Sequence, residues 1–396
     1  MRLCSPIFFI ALGLFGVYTI EFGVVGILPV IVERYGVSVA QAGFLVGVFA
    51  LVIAVCGPWM VLKFSRYNRK RVLTLCLWIF AISSALSAYA SNYGTLMVLR
   101  IVPALFHPLY FSLAFVAAMS LYPPERATQA TAHAFIGTSM GMVLGVPITT
   151  WIAAQFSYET AWLFCTVVNL MAGVGILAWL PDTHAGQKTP YGEQLAILRK
   201  PALWLNIAAS TMIFAAMFSV YAYSTEYLSR EASLSAELIS VLLVVFGVGG
   251  VAGNLLAGKW LAQRKALTTI LHPVLLAVAY TLVYAFASPD IWSMTALVLF
   301  WGAVHTSGLI VTQVWLTGEA PEAPEFVTGL YISFINLGVT VGSTVGGLFI
   351  NQFGLHGTLI SGVLFCAISL GLIVLKLVIF GERRKPAMFE ANNATH

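Results

Sequence analysis

The chain has 396 residues, of which 60% are hydrophobic and only 9% charged, with a formal net charge of +5. A soluble domain carries about a quarter charged residues, so this chain could not cover a water-facing surface of its size. A bilayer takes apolar side chains on the outside as well as the inside, which points to an all-α membrane protein and away from a soluble enzyme.

Twelve apolar runs follow one another, near residues 7–31, 42–62, 72–91, 95–119, 128–155, 160–180, 203–225, 236–258, 267–287, 291–316, 326–350 and 357–380. About 20 such residues cross a bilayer as a helix. The first run, Ile7 to Val32, is longer than the apolar core of a signal peptide, and no small-residue cleavage site follows it. It reads as a retained first span. Near its centre stands Glu21, where an ionised carboxylate would cost roughly 2.5 kcal/mol on insertion. Gly13, Gly16 and Gly23 give this span a small face, with Glu21 about a quarter-turn away. Glu21 is either a proton or cation carrier or a protonated structural acid; we take the first.

A basic loop with Lys63, Arg66, Arg69, Lys70 and Arg71 follows span two. Span four carries Arg100, which stays charged in any protein environment. Pairing with Glu21, bonding to carbonyls freed at a kink, or snorkelling to the outer interface would each satisfy it. His107 lies seven residues on, between Pro103 and Pro108, so a kinked and wet stretch is expected there. Histidine changes charge nearest neutral pH, though a buried one often serves as a hydrogen-bonded structural residue. Tyr110 and Phe111 follow. Span five places Gly137, Gly141 and Gly145 four apart on one face before Pro147.

The longest polar stretch, Pro181 to Pro201, reads as a linker. It divides the chain into a six-span half at 1–180 and another at 203–381, with the linker at 181–202 and a tail at 382–396. Span seven brings Tyr221 and Tyr223, with Glu226 near its outer end as either a weaker cavity candidate or a residue that simply reaches water. Span ten holds Trp301 and His305. Span eleven holds Asn336 and then Gly338, Gly342 and Gly346, each 201 residues after its counterpart in span five. Glycines four apart let two helices approach closely, so each half is expected to contain one such tight pair. His133, His184, His272 and His356 lie nearer span ends or loops and read as ordinary packing or surface residues.

Basic residues fix the orientation. With the N-terminus in the cytoplasm, seventeen of the twenty Lys and Arg fall inside, Arg34 and Arg230 outside, and Arg100 within a span. The reverse orientation would violate the positive-inside rule throughout. Both termini are therefore expected in the cytoplasm. These cations sit in short loops, which is no nucleic-acid footprint. The five cysteines, Cys4, Cys56, Cys76, Cys165 and Cys366, lack metal-ligand spacing and read as buried thiols.

Four stretches resemble the major facilitator superfamily, and within it the twelve-helix drug:proton antiporters, including bacterial sugar-efflux and chloramphenicol-efflux relatives. They are Tyr18-Thr19-Ile20-Glu21-Phe22 with Gly26-Ile27-Leu28-Pro29; Arg100 with His107; Gly137, Gly141 and Gly145 ahead of Pro147; and the loop Arg66 to Arg71. The loop departs from the family pattern, with Ser65 where an acid is usual and Asn68 where glycine is usual. The resemblance implies two pseudo-symmetric six-helix halves in an inner membrane and proton-coupled efflux of small amphipathic molecules by alternating access. It assigns coupling to Glu21, Arg100 and His107. The conformational roles fall to Arg66, Arg69, Gly137, Gly141, Gly145, Pro147 and their repeats Gly338, Gly342 and Gly346. Candidate substrate contacts are Tyr18, Glu21, His107, Tyr110, Phe111, Tyr221, Tyr223, Trp301, His305 and Asn336, since aromatic walls with few polar groups suit amphipathic ligands.

No phosphate-binding loop with its lysine, HExxH or cysteine pair is present, so an ion gradient is the expected energy source and no cofactor or metal is expected. The expected partners are a small-molecule substrate, protons and the lipid bilayer, with the chain acting as a monomer. A sugar or nucleoside exporter, a proton-coupled importer of the same fold, and a non-transporting membrane sensor remain as alternatives.

Overall fold

The computed structural model describes residues 5–64, 67–122, 127–182, 196–320 and 324–381. Among these lie twelve helices long and apolar enough to cross a membrane. Spans one to six are Pro6–Gly26, Val39–Phe64, Arg69–Ala88, Tyr93–Ser120, Ala127–Gln155 and Tyr158–Trp179. Spans seven to twelve are Pro201–Tyr221, Ala236–Gln263, Lys265–Phe286, Ile291–Thr317, Pro324–Phe353 and His356–Phe380. The twelve spans read from the sequence are thus present.

Local chemistry sets many of their ends. Pro6 and Pro201 occupy first turns, where a missing N–H is harmless. Asn92, Ser157, Ser235 and Asp290 each accept the N–H of the residue three places on, capping spans four, six, eight and ten. Two spans are shorter than the apolar pattern suggested. Span one stops at Gly26, and a separate helix, Leu28–Tyr35, follows before Gly36 ends it at φ 60°. Pro29 in its first turn accounts for the break. Span seven stops at Tyr221, and the helix Ser224–Arg230 follows; no proline or glycine marks that break. Span four, by contrast, runs as one helix through Pro103 and Pro108.

Packing repeats with a shift of six spans. Span one lies along five and seven along eleven, two along four and eight along ten, three along six and nine along twelve. The glycines explain the first of these pairings. A Cβ at Gly137, Gly141 or Gly145 would overlap Ala11, Tyr18 and Thr19 of span one; one at Gly338, Gly342 or Gly346 would overlap Thr211, Ala215 and Ser219 of span seven. Small residues let backbones touch, and in lipid this packing drives helix association. Pro147 lies inside span five, two residues beyond Gly145. Between the two sets, span two meets eleven and span five meets eight.

The basic loop is only partly described. Arg66 lies outside the described residues, as do the linker at 183–195 and the tail at 382–396. Arg69 opens span three, whose cap Asn68 accepts Arg71 N–H and donates to Asp182 Oδ1 at 3.0 Å.

Candidate functional site

Because span four is unbroken, Arg100, His107 and Phe111 fall on one of its faces, at helical offsets of about two and three turns. That face meets span one at Glu21 and Tyr18. Glu21 Oε2 stands 3.0 Å from His107 Nε2, with Glu21 6% and His107 5% exposed. The approach is close enough for an ion pair but lies off the line of a hydrogen bond. Neither His107 nitrogen nor that carboxylate oxygen has a hydrogen-bond partner among the described residues. Aromatic rings enclose the pair. Tyr18 lies edge-on to His107 at 5.5 Å, Phe49 at 5.9 Å, and Phe111 stacks on it at 6.5 Å.

Arg100 is 2% exposed, which rules out snorkelling. It also leaves the Glu21 carboxylate to His107. Its guanidinium donates to the carbonyls of Ile20 (2.8 Å), Glu21 (3.1 Å) and Leu45 (3.4 Å), and lies 4.7 Å over the Phe49 ring. A rigid fork of five N–H donors suits several carbonyls at once. The cation therefore ties span one to span two beside the Glu21–His107 pair.

A second cluster lies in spans seven, eight and ten. His305 is ringed by Tyr221 at 5.0 Å, Phe246 at 5.2 Å, Phe218 at 5.9 Å and Trp301 at 6.4 Å, and its Nδ1 has no hydrogen-bond partner among the described residues. Phe22 of span one meets Phe218 of span seven at 5.6 Å, so the two clusters approach each other through that contact. Neither Phe22 nor Phe218 was among the candidate contacts, although Phe22 lies in the stretch Tyr18-Thr19-Ile20-Glu21-Phe22. Their spacing offered a signal, since Phe22 is one turn from Tyr18 and Phe218 one turn from Tyr221.

Other expected residues go elsewhere. Tyr110 is fully buried and donates to Ile10 O at 3.2 Å, and Tyr223 is fully buried and donates to Ser343 O at 2.6 Å. Both rings fill space against glycines, Gly13 for Tyr110 and Gly43 with Gly347 for Tyr223, so they serve packing where a cavity wall was expected. Asn336 turns its amide back to Ile332 O at 2.9 Å in its own helix. Glu226, for which water contact was the alternative to a cavity role, is 1% exposed beside Arg230. His272, read as ordinary, lies buried within span nine, its Nε2 3.0 Å from Val304 O.

The sequence also concealed a buried charge cluster at the other end of the second half. Lys376 Nζ lies 3.2 Å from Glu319 Oε2 and 4.7 Å over the Trp315 ring. Asn206 donates to Trp315 O at 3.1 Å and to Glu319 Oε2 at 3.5 Å, and Lys200 donates to Glu319 O at 3.3 Å. The apolar run of span ten ends before Glu319, so nothing in the linear pattern drew it into the bundle. Among the described residues, no group of three or more His, Cys, Asp and Glu could hold a metal ion.

Comparison with known proteins bears on this architecture. The chain matches the Major Facilitator Superfamily over residues 10–323 and again over 211–394. It is 30% identical over 386 residues to the inner membrane transport protein YdhP of Escherichia coli (strain K12), covering 98% of each chain. In fold it is similar to a bacterial homologue of the human lysosomal transporter Spinster in an inward-facing and occupied conformation, with TM-score 0.77, 16% identity and 96% and 98% of the two chains covered. A mutant of the nucleoside transporter NupG aligns with TM-score 0.77 and 12% identity over 95% and 99%.

Proposed function

The chain belongs to the Major Facilitator Superfamily, whose members are membrane transporters and not enzymes, and from that premise we propose that it is a proton-coupled exporter of small amphipathic molecules. The observation that carries this reading is the Glu21–His107 pair, 3.0 Å apart and buried in the bundle. Ionised Glu21 and Arg100 balance each other in charge. One proton on the pair adds one positive charge, and so does a cationic substrate. Two such charges at one buried site repel, so proton and substrate exclude each other. Competition at one site, combined with alternating access, is sufficient for antiport.

The transport path follows the same residues. Tyr18 and Phe111 are half-buried beside the pair, and Phe22, Phe218, Tyr221 and His305 continue the aromatic lining into the second half. Residues 1–180 and 203–381 act in this reading as two bodies that rock about that seam. With the cytoplasm on the side of the basic loops, the contacts between spans two and eleven run from the outer end to mid-depth. Thr340 Oγ1 donates to Gly47 O there at 3.0 Å. The conformation thus reads as closed on its outer side.

The test is a screen of candidate substrates against purified protein in proteoliposomes carrying a pH gradient, with proton movement and substrate flux recorded together. Export of amphipathic compounds against their gradient with counter-movement of protons supports the reading. Binding without flux, or co-movement of protons and substrate in one direction, overturns it.

A further inference from the structure

Proline has no N–H, so Pro29 denies the Val25 carbonyl, four residues earlier, its helical donor. Within its own segment that carbonyl keeps only Ile27 N–H, two residues on. The other half of the protein supplies the second donor. The hydroxyl of Thr225, in the short helix after span seven, donates to Val25 O across 200 residues of chain. Both residues are buried. Beside this bond Tyr223 occupies a socket made from both halves, since a Cβ at Gly43 of span two or at Gly347 of span eleven would overlap it. The broken outer ends of spans one and seven therefore meet at a hydrogen bond whose acceptor exists because of a proline.

We propose that the Thr225–Val25 hydrogen bond is the latch of the outer gate, and that Pro29 makes it sensitive to conformation. The proposal rests on the alternating-access reading above. In an uninterrupted helix the Val25 carbonyl would be satisfied in every state, and Thr225 would gain little by reaching it. With Pro29 in place, the carbonyl has its full complement of donors when the halves meet, or when opening admits water. Closure without the Thr225 hydroxyl buries a carbonyl short of its second donor, which penalises the closed state alone. Thr225 is thus a positioning residue for the gate and has no contact with the Glu21–His107 pair.

The test reads gate position directly, in full-length protein in lipid, from the distance between spin labels at Ser91 and Ser288 after the native cysteines are replaced. These positions lie in the outer loops between spans three and four and between spans nine and ten. Thr225→Val removes the hydroxyl and keeps the shape; it is expected to raise the ratio of outer-open to outer-closed protein about three- to tenfold, the equivalent of one hydrogen bond. Thr225→Ser keeps the hydroxyl and is expected to match the wild type. Pro29→Ala restores an N–H to Val25, so in that background Thr225→Val is expected to change the ratio less than about twofold. An unchanged ratio in Thr225→Val, an equal shift in Thr225→Ser, or an undiminished shift in the Pro29→Ala background each overturns the latch. Should Thr225→Val fail to fold, Pro29→Ala and Thr225→Ser compared with the wild type decide the matter, since only the former is expected to alter the distances. The measurement needs no proton gradient. Failure of proton coupling leaves it standing, whereas a single fixed distance at every pH and with every substrate removes alternating access itself.

Discussion

The Glu21 carboxylate and the His107 imidazole meet at 3.0 Å inside the first half, with Arg100 fixed to the main chain of the span that carries Glu21. An acid, a base and a permanent cation thus share one buried site. Burial makes each change of protonation there matter, since a protein interior screens charge less than bulk water does.

The distribution of basic residues leads to a first prediction. A reporter fused after His396 and another inserted near Lys188 are both expected in the cytoplasm, given the concentration of Lys and Arg in alternate loops. An external signal from either would overturn the orientation used to assign the inner and outer ends.

Gly141 and Gly342 sit where a Cβ would overlap Tyr18 and Ala215, respectively. Replacing either with Leu is expected to force spans one and five, or seven and eleven, apart at a cost of about 1–3 kcal/mol, with transport abolished. Thermal unfolding and flux of each purified variant check this; wild-type flux from both would refute the close-packing argument.

The sequence showed the spans and these glycine faces because both depend on local spacing. Glu21, Arg100 and His107 stood out because charge inside an apolar run has few explanations. What linear spacing cannot show is which partner a buried group takes. Arg100 had three open solutions, and only the approach of spans one and two selected the main chain of Ile20, Glu21 and Leu45. Glu319, just past span ten, and Lys376, inside span twelve, gave no hint that tertiary packing joins them. Tyr110 and Tyr223 looked like wall residues by depth, and glycines on other helices turned them into packing.

Lys376 and Glu319 form a buried ion pair, so removing one partner leaves the other charge uncompensated. Lys376→Met is expected to destabilise the protein by about 3–5 kcal/mol, and the double variant Lys376→Met with Glu319→Gln to recover much of that loss. Thermal unfolding of the purified single and double variants tests the coupling; equal melting of the single variant and the wild type would contradict it.

Arg100 serves three carbonyls with one planar group, a task an ammonium on a flexible stem performs poorly. Arg100→Lys is expected to lower transport at least about tenfold, since each hydrogen bond from a charged group contributes about 1.5–3 kcal/mol. Flux assays with protein of matched reconstitution decide it, and unaltered flux in the Lys variant would show that charge alone is needed at this position.

The central claim is that Glu21 carries the proton exchanged for substrate. Glu21→Gln keeps the size and much of the hydrogen bonding but cannot load and release a proton. Gradient-driven export by purified Glu21→Gln, measured beside the wild type at several pH values, tests this most directly. The variant is expected to lose uphill export while still exchanging substrate between the two sides, and Glu21→Asp to keep some coupled activity with a shifted pH profile. Uphill export by Glu21→Gln with the wild-type rate and pH dependence would remove Glu21 from the coupling mechanism.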